Sequence, residues 1–446
     1  MIKTLTSAFK NKDIRKKLLY TLMMLVVIRI GSLLPIPGVD TEYFSTLLSG
    51  FNSGDLSYLS AFTGGSFEKM SLFALSITPY ITSSIIMQLL TIAIPKLEEM
   101  QKEGEDGRKK IASITRYVTI ALALIESIAM AVGFGRQGLI KDYKDMSTIH
   151  YVTCIIVVVA ALTAGSAVLM WIGERITEKG VGNGISFIIL VGIIARLPHS
   201  LFQEFISRTS EKTGGLVMFL FEMLFLLFVI AGAILLVQGT RKVPVQYAKR
   251  IIGNKQYGGA RQYIPLKVNA ANVMPIIFAQ AIMFIPISIV GFSNTGESSG
   301  FWAAFMDNTG FWYNFVFAVL IILFTYFYTA ITINPTQMSD DLKRNNGFIP
   351  GVKPGKQTKD YLDSIMDRIT LPGAIFLAIV AIMPAFARLA GVSMAFSQFF
   401  GGTSLLILVG VVLDTLQQVE SHLLMRHYDG LLKSGRIKGR SGVNAY

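Results

Sequence analysis

The chain is organised by a recurrence: apolar stretches of membrane-crossing length, each closed by charged or by Gly- and Pro-rich sequence. A helix needs about 20 mainly apolar residues to cross the hydrocarbon core of a bilayer. Stretches of that order lie at approximately 18–35, 71–94, 116–134, 149–172, 183–206, 216–237, 273–292, 311–333, 370–387 and 399–419. They predict an all-α membrane protein with ten transmembrane helices. The composition agrees, because 52% hydrophobic and only 15% charged residues lie outside the range of ordinary soluble domains. The lone cysteine, Cys154, sits inside an apolar run and excludes a disulfide within the chain. The apolar run after Lys17 leads into Pro35-Ile36-Pro37-Gly38 rather than a small-residue cleavage site, so it reads as a retained span.

A net charge of +13 could point to nucleic acid, but the cations alternate from one connection to the next. With residues 1–17 on the cytoplasmic side, more than three quarters of the 41 Lys and Arg fall in inside segments, whereas 36–55 and 293–310 contain none. The positive-inside rule then places both termini in the cytoplasm, the 420–446 tail included. Two connections on that side, 238–272 and 334–369, are too long and too basic to be turns. The first carries Arg241, Lys242, Lys249, Arg250, Lys255, Arg261 and Lys267 with no acidic residue. Enforcing topology needs two or three such cations; seven point to a docking surface for an acidic or polyanionic partner.

Residues 51–70 are moderately apolar but interrupted by Gly54, Gly64 and Gly65, so they do not span. Irregular backbone survives at membrane depth only where protein or a water-filled cavity surrounds it, which makes this stretch either a re-entrant piece or a loop outside the membrane. Four scattered histidines, with no P-loop, nucleophile elbow or Cys/His metal spacing, give no catalytic set and call for no cofactor or metal. Coupled transporters carry paired ionisable groups inside their spans. Here Arg29, Glu126, Glu222 and Asp414 are few and form no obvious pair. A secondary transporter and a structural scaffold are therefore the weaker alternatives. The isoleucines at i,i+4 spacing, Ile81 with Ile85 and Ile185 with Ile189, read by themselves as packing.

Phe73–Leu90 (FALSITPYITSSIIMQLL) and Trp171–Ser186 (WIGERITEKGVGNGIS) resemble the two signature stretches of the SecY family of protein-translocase channels. Val243–Arg250, Leu266–Asn269, Asn334-Pro335, Gly347–Gly355 and Phe400–Ile407 are similar to further family motifs, in order along nearly the whole chain. The resemblance implies two pseudo-symmetric five-helix halves, 18–206 and 207–419. Their waist would be a ring of Ile81, Ile85, Ile185, Ile189, Ile277 and Ile407, an apolar constriction that dewets when idle. It implies a weakly held plug over about 56–70, with Phe62, Gly64, Gly65 and Phe67, and a lateral gate between the second and seventh spans with Gln88 and Asn272 on its seam. It implies as partners SecE and SecG in a heterotrimer, the ATPase SecA, the ribosome, signal sequences with their secretory or membrane-protein chains, and membrane lipids. SecA and the ribosome would dock at Arg241, Lys242, Lys249, Arg250 and Lys353. The chain departs from the family pattern at Ser76 and Thr78, where Gly and Met are common, at Asn272 and Asn346, which stand at Gly positions, and at Lys353, where Arg is usual. Lysine keeps that charge but loses the planar fork; asparagine visits the left-handed backbone better than most residues.

Overall fold

The computed structural model describes residues 11–42, 44, 46, 63–135, 140, 147–210, 215–247, 250–252, 255–257, 261–271, 273–280, 282–283 and 310–433, with backbone only at 102, 210, 250–252, 255–257, 261 and 426–433. Helices dominate. They are α1 (Lys12–Gly31), α2 (Thr78–Ala93), α3 (Pro95–Lys102), α4 (Glu105–Phe134), α5 (Thr148–Lys179), α6 (Gly184–Ser210), α7 (Gly215–Gln238), α8 (Phe311–Thr332), α9 (Pro335–Arg344), α10 (Lys356–Leu389), α11 (Met394–Ser397) and α12 (Gly402–Lys433). Five strands, β1 (Thr240–Tyr247), β2 (Arg250–Ile252), β3 (Lys255–Tyr257), β4 (Arg261–Lys267) and β5 (Gly347–Phe348), lie in the two long basic connections. Among the described residues 7 helices are long and apolar enough to cross a membrane, or 8 counting the bent pair of α2 and α3. The chain is a multi-pass membrane protein.

The helices differ from the apolar stretches for local reasons. α1 stops at Gly31, short of 35, because Pro35 and Pro37 restrict the residues before them to extended backbone. The second stretch is helical only from Thr78. Residues 71–77 form turns, with Ser76 at φ 52° and Pro79 next to the first helical residue. At Pro95 the chain turns through 105° into the polar α3. α6 runs on through Pro198 to Ser210, and α10 extends from Lys356 through Pro372 and Pro384. Of the seventh stretch, 274–280 is helical and 284–292 lies outside the described residues.

The described residues form two compact units, one within 1–52, 56–196 and 411–446 and the other within 53–55 and 197–410. In the first, hydroxyls knit the helices together. Ser83 and Thr119 share a 2.5 Å hydrogen bond, Thr163 donates to Ser127 at 3.1 Å, and Ser166 donates to the Ser76 carbonyl at 3.3 Å. Such bonds suit helices in lipid, where apolar contact between helices has no water to escape. Small residues let the backbones close: a Cβ at Gly165 would lie 1.9 Å from the Leu72 carbonyl oxygen. An apolar cluster of Ile36, Phe44, Phe67, Met70, Met130, Val158 and Leu162 fills the space beside the 63–72 turns.

The second unit contains a small module built from both basic connections. β1 pairs antiparallel with β4 from Thr240↔Lys267 to Gln246↔Arg261, and with β5 at Gln246↔Phe348 and Tyr247↔Gly347. Val243 and Val245 alternate inward to join Leu266, Leu342, Ile349, Leu362 and Met366. Pro244, which has no N–H to give, lies beyond the register that β5 occupies. Elsewhere in this unit Glu222 does have a pair, against the reading of the sequence. Arg208, just past the fifth apolar stretch, donates to Glu222 at 2.6 Å, to Glu204 at 3.1 Å and to the Gly391 carbonyl at 2.6 Å; Glu204 also accepts from the Ser393 N–H at 3.0 Å.

All three charged side chains are buried, so removing the cation would strand two carboxylates in a low-dielectric site. Arg208→Met is expected to cost about 3–5 kcal/mol in thermal unfolding of the purified protein. A loss below about 1 kcal/mol, as for exposed pairs, would mean that water reaches the cluster.

Candidate functional site

The chain doubles back between α1 and α2. The Ile36 N–H donates to the Met70 carbonyl at 3.1 Å and the Leu72 N–H to the Leu34 carbonyl at 2.9 Å, forming a bridge between Pro35 and Ser71. Two glycines make this return possible. Gly64 (φ 62°) and Gly65 (φ 87°) occupy left-handed backbone, and a Cβ on Gly64 would lie 2.8 Å from Gly192 Cα in α6. Phe67 sits edge-to-face on Phe44 at 5.7 Å, and Phe44 on Phe134 at 5.2 Å. Glu68 pairs with Arg196 of α6 at 2.5 Å. The weak hold expected of the whole 56–70 stretch does not describe its last residues: Phe67 is 4% exposed and Met70 0%, because the aromatic and apolar side chains of α4 and α5 enclose them. Phe62 lies outside the described residues.

The same unit holds Ile81 and Ile85 on α2 and Ile185 and Ile189 on α6. Ile85 and Ile189 are buried, and Ile81 and Ile185 half-buried. Ile277, half-buried in the 274–280 helix, and Ile407, buried on α12, belong to the second unit. Gln88 is exposed on α2, and Asn272 lies outside the described residues.

On the basic module Arg241 and Lys242 are exposed on β1, and Lys353 is exposed in the loop before α10. That loop is shaped by Gly351 (φ 88°) and Gly355 (φ 102°) and tied by the Thr358 hydroxyl, which donates to the Lys353 carbonyl at 2.9 Å. Through the β1–β5 pairing the two basic connections become one surface. Arg250 lies on β2, described by its backbone, and Lys249 outside the described residues. Asn346 has φ 53° and Ser76 φ 52°, so both departures from glycine occupy backbone that glycine favours. Met70, at φ 40°, does so with no signal in the sequence. Among the described residues no group of three or more His, Cys, Asp or Glu could hold a metal ion.

Comparison with known proteins agrees with this layout. The SecY family model matches residues 71–416. Among curated relatives, the protein translocase subunit SecY of Mycobacterium tuberculosis is 39% identical, covering 97% of this chain and 100% of the relative. That of Halalkalibacterium halodurans is 42% identical with the same coverage. Among solved structures, one described as a protein conducting channel aligns with TM-score 0.61 at 18% identity, over 95% of this chain and 94% of the other. Sec61 in a canine ribosome-channel complex aligns with TM-score 0.57 at 17% identity, over 95% and 94%. At such identities the structures speak for the fold: this chain has the fold of the SecY and Sec61 channels.

The Glu68–Arg196 pair is partly exposed, at 45% and 27%, so it contributes at most about 1 kcal/mol. Glu68→Gln is expected to speed amide exchange at Lys69, Met70 and Ser71 by up to about five-fold while leaving the melting temperature unchanged. An acceleration of a hundred-fold would show that the ion pair, rather than the apolar cluster, holds the segment.

Proposed function

Because this chain belongs to the SecY family, we propose that it is the pore-forming subunit of a bacterial Sec translocase. It conducts unfolded polypeptides across the cytoplasmic membrane and releases transmembrane segments sideways into lipid. The observation that carries the reading is identity of 39% and 42% along 97% of the chain to proteins named as translocase subunits. The apolar helices and the doubled-back segment support it.

In this reading Ile81, Ile85, Ile185, Ile189, Ile277 and Ile407 supply the constriction. Aliphatic side chains offer no hydrogen bond to a passing chain and no shell for an ion, so transport is indifferent to sequence and the idle pore stays dry. The segment from about 56 to 70, with Phe62, Gly64, Gly65 and Phe67, is the plug, with Gly64 and Gly65 as the flexible points for its displacement; Phe67 and Met70 pack its last residues. A signal sequence brings a short apolar run with polar flanks, and a seam between the spans 71–94 and 273–292, with Gln88 and Asn272 on it, offers lipid and water together. The halves 18–206 and 207–419 are the two bodies of the channel. SecE and SecG complete the heterotrimer.

Transport energy comes from outside the chain. Arg241, Lys242, Lys249, Arg250 and Lys353 receive SecA or the ribosome, whose acidic protein or RNA surface complements seven cations without an acid in 238–272. The distribution of Lys and Arg supports both termini facing the cytoplasm.

Conduction is tested by stalling a secretory chain that bears one cysteine in a Cys154→Ser background, with a cysteine at Ile277 or Ile407. Disulfides at those positions but not at lipid-facing controls are expected; none at either, with the chain demonstrably stalled, overturns the pore assignment. For docking, Lys353→Glu is expected to abolish SecA-driven transport while the protein still inserts, and undiminished transport and SecA binding would remove the loop from the docking face.

A further inference from the structure

One small cavity in the first unit is lined by Arg29 of α1, by Ser32, Thr63, Ser66 and Ser76, and by apolar walls that include Phe73. Its polar inventory is one-sided. Among the described residues no Asp or Glu lines it. The Arg29 guanidinium, half-buried, has no hydrogen bond or ion pair among the described residues, whereas Arg196 on α6 is matched by Glu68. The Ser66 hydroxyl is buried and unpartnered, in a residue 2% exposed. Ser32 spends its proton on the Ile28 carbonyl at 2.9 Å.

Arg29 is also confined. Its Nη1 would lie 2.9 Å from a Cβ built on Gly64, so it rests on the left-handed turn of the doubled-back segment. A cation in the last turn of an apolar helix, beside a free O–H donor, meets only the partial negative charge of that helix end and, among the described residues, no carboxylate. Water supplies an acceptor and not a counter-charge. The cavity has room for about one water-sized particle, so a single-atom anion is the anion that it takes with least displacement of its walls.

We propose that this cavity is a halide site, in which chloride is held between the Arg29 guanidinium and the Ser66 hydroxyl. The ion bridges α1 to the 63–71 segment and fixes that turn against α6. Binding rests on the unpartnered Ser66 hydroxyl and on Arg29 lining one cavity. Its consequence for closing the channel rests on the plug reading above, and the experiment separates the two because it measures binding rather than transport.

The test is thermal unfolding of the full-length protein, purified with the subunits that accompany it, at constant ionic strength in chloride, bromide or gluconate. Chloride and bromide are expected to raise the melting temperature saturably over gluconate. Ser66→Ala, which keeps the fold and removes one hydrogen bond to a charged group, is expected to raise the half-saturating chloride concentration about ten-fold. Arg29→Met is expected to abolish the anion dependence. Crystals grown in bromide should show anomalous density between Arg29 and Ser66. A melting temperature indifferent to the anion, an anion response unchanged in Ser66→Ala, or a bound water with no bromide density would each overturn the site. If Arg29→Met does not fold, the Ser66→Ala titration and the bromide density decide.

Discussion

Everything in this structure answers to the absence of water around its helices. A polar group that has left water and found no partner costs more than most contacts return, and the chain leaves few unmatched. Within spans, hydroxyls fold back on the carbonyl four residues earlier, as Ser127 does on Ala123 at 2.6 Å and Thr325 on Ile321 at 2.7 Å, or cross to the next helix. Where the backbone abandons the helix between α1 and α2, it recovers the lost bonds by pairing Pro35 with Ser71. Where charge is buried, Arg208 serves two carboxylates and a carbonyl. Arg29, unpaired among the described residues, matters because it breaks this rule.

The same rule explains how far the sequence could be read. Apolar length located the spans that the described residues show, since lipid demands it. Their ends were less legible, because helices run past the hydrocarbon wherever no proline or glycine stops them: α10 starts at Lys356 rather than 370. Asn346 and Ser76 were visible as departures from glycine, and both have the positive φ that makes glycine the usual choice. The sheet was not visible. Loop charge drew attention to 238–272, yet the strand signal lies in two alternating valines, Val243 and Val245, and its partner β5 comes from a connection about one hundred residues further on. The pairs Glu68–Arg196 and Glu222–Arg208 were likewise hidden, as each joins side chains of different elements.

Division of labour follows from the chemistry. Among the described residues no cluster is suited to a metal, while exposed cations gather on the sheet module. In the function proposed above, the chain supplies the path, and the exposed cations of the sheet module supply the socket for the partner that moves the polypeptide.

One more property follows from α10. It is a single helix of 34 residues, roughly 50 Å long. One end follows the Lys353 loop and packs Leu362 and Met366 into the core of the sheet module; the other leads into Gly391, whose carbonyl Arg208 grips. A beam anchored at both ends works as a lever. Tilting it by about five degrees at the sheet moves the far end by about 4 Å, more than a hydrogen bond tolerates. A tilt of α10 at the sheet module is therefore also a displacement beside the buried charge cluster at the opposite end of the same helix.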